Sequence, residues 1–358
     1  MRRIFGVGVL SCLVVVALIP DVAGAQNAEP PRVRLVATGG TISNAAGGRL
    51  TAEELIELIP DLTRYATPEF EQFANVSSSA ITLEQWLQLA RRINELFATD
   101  PELAGVVVTS GTDTLEETAY FLHLTVTDPR PVVVVGAMRN PSTLGYEGAA
   151  NLLQAFRVAA DPTSRGKGAL VVMNDEINSA REVTKTNSVR LQTFETRGYG
   201  VLGVVDRDRV LYYRDTLKRH TADSEFDVSV IDALPRVDIL MVYQGASGDL
   251  FDAAVAGGAA GVVIAVAGAG ATSGTQRQGI SAALQAGVFV VSATRTGSGR
   301  IAARTGGGRG RGRGGNNPAF NYSIAAEDLT PLKARILLML ALATTDDAAE
   351  IQRMFTEY

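Results

Sequence analysis

The residues of this chain best suited to chemistry are threonines at the ends of apolar runs. ATGGTIS spans Ala37–Ser43 and TSGTDT spans Thr109–Thr114; VRLV (Val33–Val36) precedes the first and VVV (Val106–Val108) the second. Such runs read as buried strands, so both motifs fall at strand ends, where open α/β sheets collect ligands. Glycines at that edge let backbone N–H groups approach a ligand closely, and threonine hydroxyls can act as nucleophiles. Thr41 follows Gly39 and Gly40, which puts its hydroxyl at a strand end beside free N–H groups. Thr112 and Asp113 precede a helix expected from Leu115, whose N-terminus favours a bound carboxylate. REVTKTN (Arg181–Asn187) adds Lys185 between two threonines. A lysine shielded from water can have a lowered pKa and assist proton transfer. Asp113 suits pairing with a substrate ammonium or with Lys185. Taken singly, these are a turn threonine, a helix-capping aspartate and a solvated lysine. As three strand-end motifs of one sheet they fit amide hydrolysis, which needs an activated hydroxyl and fixed partners for the substrate's charges.

The elements that must position them alternate. VRLVA, GVVVT (Gly105–Thr109), PVVVV (Pro131–Val135) and ALVVM (Ala169–Met173) read as parallel strands buried on both faces. Between them, Thr82–Phe97 sets Leu83, Trp86, Leu87, Ala90, Ile93 and Phe97 on one helical stripe, with Thr82 and Gln85 as a capping box. Trp86 is therefore read as core. Further helices are expected after Thr51, over Leu115–Leu124 and over Gly148–Ala160. Arg207–Leu234 is more polar and reads as a connector, and His220 falls within it. The alternation resumes with VDILMV (Val237–Val242), GVVIAV (Gly261–Val266) and VFVVS (Val288–Ser292). Thr330 and Pro331 start a helix over Leu332–Ala343, and a last helix covers Asp347–Phe355. The fold class is α/β, with a larger N-terminal parallel-sheet domain over 26–214, a linker over 215–235 and a smaller C-terminal domain over 236–358.

The 358 residues carry a net charge of −5 and a hydrophobic content of 46%, which excludes a disordered chain and any global attraction to nucleic acid. Arg2 and Arg3, the apolar stretch Ile4–Ile19 and Ala23-Gly24-Ala25 describe a signal peptide over 1–25, which predicts a periplasmic or secreted protein. The alternatives for this segment are a retained membrane anchor and lipid attachment at Cys12. Removing Arg2, Arg3 and Asp21 from the 33 basic and 38 acidic residues leaves a net charge of −6. Cys12 is the sole cysteine, so a cleaved chain has no thiol catalyst, disulfide or thiolate metal site. The two histidines, His123 and His220, fit no metal-ligand spacing. Thr305–Gly315 (TGGGRGRGRGG) is low-complexity and reads as a linker-like loop, with RNA or polyanion binding as the alternative.

ATGGTI, GTDTLEETAYFL, PVVVVGAMR, LVVMNDE and REVTKTN, with ATRTGSG and LKARILLMLAL further on, resemble the bacterial type II L-asparaginases and glutaminase-asparaginases over nearly the whole chain after the leader. The resemblance implies hydrolysis of L-asparagine to L-aspartate and ammonia through a threonine acyl-enzyme, without a cofactor. It also implies a homotetramer whose sites lie between neighbouring subunits, no membrane association after cleavage and no nucleic acid. Carried over, Thr41 looks like the nucleophile, and Thr112, Asp113 and Lys185 look like a second triad. Ser78 looks like the serine that binds the substrate carboxylate, Ser79 is counted as substrate-binding although it stands where a glutamine is often found, and Ala137 matches a backbone contact to the side-chain amide. Three departures stand out. The loop Ser43–Leu50 (SNAAGGRL) has no tyrosine, the next being Tyr65. Gly245 stands where many members have asparagine. The Gly/Arg tract occupies the segment that often gives a glutamate to the neighbouring subunit. These changes leave activity on L-glutamine, or an impaired amino-acid-binding protein, as alternatives.

Overall fold

The computed structural model describes residues 29–303 and 323–358. The expected leader with Cys12, and the tract Thr305–Gly315, lie outside the described residues. An eight-stranded sheet forms the larger half of the protein. From edge to edge its strands are Val210–Tyr212, Gly203–Val205, Glu176–Ser179, Ala169–Met173, Val132–Val135, Leu103–Thr109, Arg32–Gly39 and Thr67–Val76. Those from Ala169–Met173 to Thr67–Val76 run parallel. The smaller, four-stranded sheet is parallel throughout: Val237–Met241, Gly261–Val266, Phe289–Thr294 and Ser323–Ala325.

The valine runs explain the parallel core. Val106–Val108, Val132–Val135 and Leu170–Val172 are fully buried, with helices covering both faces of the sheet. The helix Leu83–Thr99 begins at the expected capping box, in which Thr82 Oγ1 accepts from Gln85 N and Gln85 Oε1 from Thr82 N. Such a cap stabilises a helix by about 1 kcal/mol. Trp86 is core: its ring stacks on Phe121 and its Nε1 donates to Thr118 Oγ1 at 3.2 Å. Helices Ala52–Glu57, Leu115–Thr125, Gly148–Ala160, Pro331–Leu342 and Ala348–Glu357 fall where the pattern predicts them. Among the described residues, no helix is long and apolar enough to cross a membrane.

The expected α/β fold, with a larger N-terminal sheet and a smaller C-terminal one, is present; two details differ. The large sheet is mixed, because the chain reverses at Asn174 and Asp175, which both adopt positive φ (53° and 66°) and pair Met173 with Glu176 antiparallel. The stretch Arg207–Leu234 is not all connector either. Val210–Tyr212 forms the sheet's last strand, and His220 is buried with its ring 4.9 Å from that of His123.

Candidate active site

Four neighbouring parallel strands deliver their carboxyl ends to one edge of the large sheet. Ala137 follows Val132–Val135, Thr112 follows Leu103–Thr109, Thr41 follows Arg32–Gly39, and Ser78 follows Thr67–Val76. The two central strand ends are stitched together. Thr38 N donates to Thr109 Oγ1 at 3.1 Å, and Thr38 Oγ1 donates to Thr109 O at 2.6 Å. Gly40 turns the chain at a φ of 91°, and a Cβ there would stand 2.3 Å from Gly111 N. Only glycine permits that contact, so it joins the Thr41 turn to the Thr112 turn. Gly111 in turn presses on Ser78, since a Cβ on Gly111 would lie 2.8 Å from Ser78 Oγ. Gly136 completes the row, its notional Cβ 3.2 Å from Thr112 Cγ2.

Lys185 arrives from elsewhere. It does not end a strand of the large sheet, as expected of the third motif. It lies in a separate two-stranded ribbon, Val183–Lys185 against Phe194–Thr196. Its Nζ donates to Thr112 Oγ1 at 3.0 Å and to Asp113 Oδ1 at 2.8 Å. Thr112 is buried and the Lys185 side chain is 14% exposed, whereas the Asp113 side chain is 78% exposed. The aspartate can therefore neutralise the lysine and still offer an oxygen to an incoming cation. A buried hydroxyl facing an ammonium, with a carboxylate at the mouth, is a proton-transfer arrangement beside a binding group.

Two supporting residues escaped the sequence reading. Glu116 is buried one turn below Asp113, and its Oε1 accepts from Lys185 N and Thr184 Oγ1, both at 3.1 Å. Lys333, from the helix Pro331–Leu342, is buried and donates to the carbonyls of Arg181 and Val183. Burial pulls the Lys333 amine down to about 8, against the opposing charge of Glu116. These two charges hold the backbone of the segment that carries Lys185, Glu116 through an N–H and Lys333 through carbonyls. A signal was present in GTDTLEE, where the acid at Glu116 falls on the inner face of a helix.

The remaining candidates divide. Ser78 and Ala137 are buried at the edge, while Ser79 is exposed. Gly245, at a φ of 75°, donates its N–H to Ser273 Oγ at 3.0 Å. The missing loop tyrosine leaves Ser43–Leu50 as a tight flap, closed by pairing Asn44–Ala45 with Gly48–Arg49. Tyr65 lies under the guanidinium groups of Arg64 and Arg157. His123 and His220 are structural: burial lowers the pKa of both rings, and His123 Nδ1 accepts from Ala169 N.

Comparisons with known proteins identify the family. The family "Asparaginase, N-terminal" matches residues 32–218, and "Glutaminase/Asparaginase C-terminal domain" matches residues 236–355. An L-asparaginase 2 from Bacillus subtilis is 41% identical over 95% of this chain and 90% of its own. A glutaminase-asparaginase from Pseudomonas fluorescens is 37% identical over 97% of each chain. The crystal structure of the "Probable Cytoplasmic L-asparaginase from Campylobacter jejuni" superposes with a TM-score of 0.84 at 38% identity, covering 92% of this chain and all of that one. That match corrects the expected periplasmic or secreted location. The fold is shared with a protein described as cytoplasmic. The location was read from the leader alone, and nothing in the sheet-edge chemistry depends on the compartment. With both family domains matched in order along nearly the whole described chain, this protein belongs to the asparaginase family and is a hydrolase acting on amides.

Proposed function

We propose that this chain cleaves the side-chain amide of L-asparagine to L-aspartate and ammonia through an acyl intermediate on Thr41. The observation that carries the reading is the contact of Lys185 Nζ with both Thr112 and Asp113, beside a turn that the Gly40–Gly111 contact locks to theirs. Thr41 Oγ1 adds to the amide carbon, the carbon–nitrogen bond breaks, and the hydroxyl proton leaves with the nitrogen as ammonia. Water then adds to the ester carbon, aspartate departs, and one water proton returns to Thr41 Oγ1. Thr112 orients substrate or water, Lys185 carries protons through that hydroxyl, and Asp113 holds the α-ammonium. Ser78 binds the substrate carboxylate with Ser79 next to it in the binding segment, and the Ala137 backbone meets the side-chain amide. A homotetramer, in which a neighbour closes the side where Asp113 is exposed, follows from the family resemblance.

The second reading is a glutaminase-asparaginase, motivated by the Pseudomonas fluorescens relative of that name. The two substrates differ by one methylene, a difference a pocket resolves by about 1–3 kcal/mol. Ammonia release, measured as kcat/KM on both amides for wild type and Thr41→Ala, tests the proposal. The expected result is a preference for asparagine that Thr41→Ala abolishes. Equal activity in wild type and variant rejects the nucleophile, and comparable kcat/KM values on both amides select the second reading.

A further inference from the structure

We propose that Tyr146 is a positioning residue for the candidate nucleophile: its hydroxyl holds the carbonyl that follows Thr41, a task the tyrosine-free flap cannot perform. The proposal rests on the reading of Thr41 as nucleophile. Tyr146 Oη donates to Ile42 O at 2.8 Å, bridging residues 104 apart in sequence. On the other side of Thr41, Gly40 O accepts from Ser43 Oγ at 3.1 Å and from Arg49 Nη1 at 2.9 Å. The carbonyls of the residues on either side of Thr41 are thus both fixed, and the short turn Thr41–Ser43 has little freedom left. Ser43 and Arg49 belong to the flap, whereas Tyr146 comes from the opposite wall.

That wall is built to hold the tyrosine still. Tyr146 N donates to Thr143 O at 3.1 Å, and the neighbouring Glu147 carboxylate accepts from Met138 N and Arg139 N, closing 138–147 into a loop. The same loop reaches the flap a second time, where Ala46 N donates to Ser142 Oγ at 2.8 Å. Gly148 leaves the necessary space, because a Cβ there would stand 2.3 Å from Tyr146 Oη. Burial, with the charge of Glu147, raises the phenol's pKa, so the hydroxyl stays protonated and remains a donor. A displacement of about 1 Å at a reacting group can cost about 100-fold in rate, so one well-placed hydrogen bond here acts on kcat.

The test uses the full-length protein with asparagine as substrate. Tyr146→Phe keeps the ring and removes only the donor. It is expected to lower kcat and the single-turnover rate of acylation about tenfold, with KM within about twofold of wild type. Gly148→Ala offers an independent route. As a plain helix substitution it would raise the thermal midpoint and leave kcat alone. On this account it displaces the Tyr146 ring and lowers kcat, and adding it to Tyr146→Phe lowers kcat by less than the product of the two single effects. Wild-type kcat in Tyr146→Phe, or a raised KM with kcat unchanged, overturns the proposal. If Tyr146→Phe does not fold, wild-type kcat in Gly148→Ala overturns it instead. Thr41→Ala separates the two claims. Full activity in that variant sinks the nucleophile, whereas loss of activity there with full activity in Tyr146→Phe sinks only the role of Tyr146.

Discussion

The two threonine turns at the sheet edge are built from the same kind of strand end, yet they are supported in opposite ways. The Thr112 turn is electrostatic: its hydroxyl accepts from Lys185, Asp113 neutralises that lysine, and Glu116 and Lys333 anchor the ribbon behind it. The Thr41 turn is held by its backbone. Two positive-φ glycines precede it, the carbonyls of Gly40 and Ile42 are bound by Arg49, Ser43 and Tyr146, and among the described residues its own hydroxyl makes no hydrogen bond. A hydroxyl left unengaged while its backbone is fixed is available to attack. A hydroxyl engaged by an ammonium is suited to passing protons.

Substitutions on the charged side probe this division first. Replacing Lys185 with Met removes the ammonium and is expected to lower kcat by about 10³-fold, within the range of a lost acid–base group; stopped-flow ammonia release checks it. Only a few-fold loss would mean that Thr112 needs no charged partner and that the contrast between the turns is superficial. Asp113→Asn keeps the shape but loses the charge offered to a substrate ammonium. About 100-fold in kcat/KM should be lost, most of it through KM, and a deaminated substrate analogue should discriminate less between the two proteins.

Stability separates the ribbon from the flap. Arg181, four residues before Lys185, is buried and bonds to both oxygens of Asp328, at 2.9 and 2.7 Å. Burial alone would raise the Asp328 pKa, but the hydrogen bonds and charge of Arg181, with Tyr199, outweigh it and hold the carboxyl well below its ordinary range. A depressed carboxylate stabilises the fold above the unfolded-state pKa near ~4, and that stability is lost as pH falls through the folded value. Asp328→Asn should therefore cost about 2–3 kcal/mol at neutral pH, and its stability, followed by denaturant titration, should depend less on pH below about 4. The smallest effect is expected at Glu116. Glu116→Gln keeps an acceptor for Lys185 N and should reduce kcat by about tenfold or less, leaving the binding of asparagine unchanged by calorimetry.

The sequence made the sheet edge legible because its signals are local. Valine runs marked the parallel strands, and Gly39, Gly40 and Gly111 marked where the backbone turns closely. What escaped it was non-local or carried by charge. Thr67–Val76 was missed as a strand because Glu69 and Glu71 interrupt its apolar character, yet on this edge strand they pair with Arg32, Arg34 and Arg92. Lys185 was found, but its ribbon was not, since Val183–Lys185 is too short to register as a strand. Tyr146 lies just before the helix Gly148–Ala160, and no local pattern marks it. Only the folded chain brings it to Ile42, and Gly148, two residues further on, leaves its ring the space.

The division of labour between the two threonines is tested most directly by trapping the intermediate. The enzyme is mixed with L-asparagine, quenched in acid within one turnover, digested and mapped by mass spectrometry. The account predicts an aspartyl ester on the peptide bearing Thr41, absent from Thr41→Ala and accumulating in Lys185→Met if its deacylation is slowed more than its acylation. An ester on the peptide bearing Thr112, or undiminished turnover by Thr41→Ala, would contradict it.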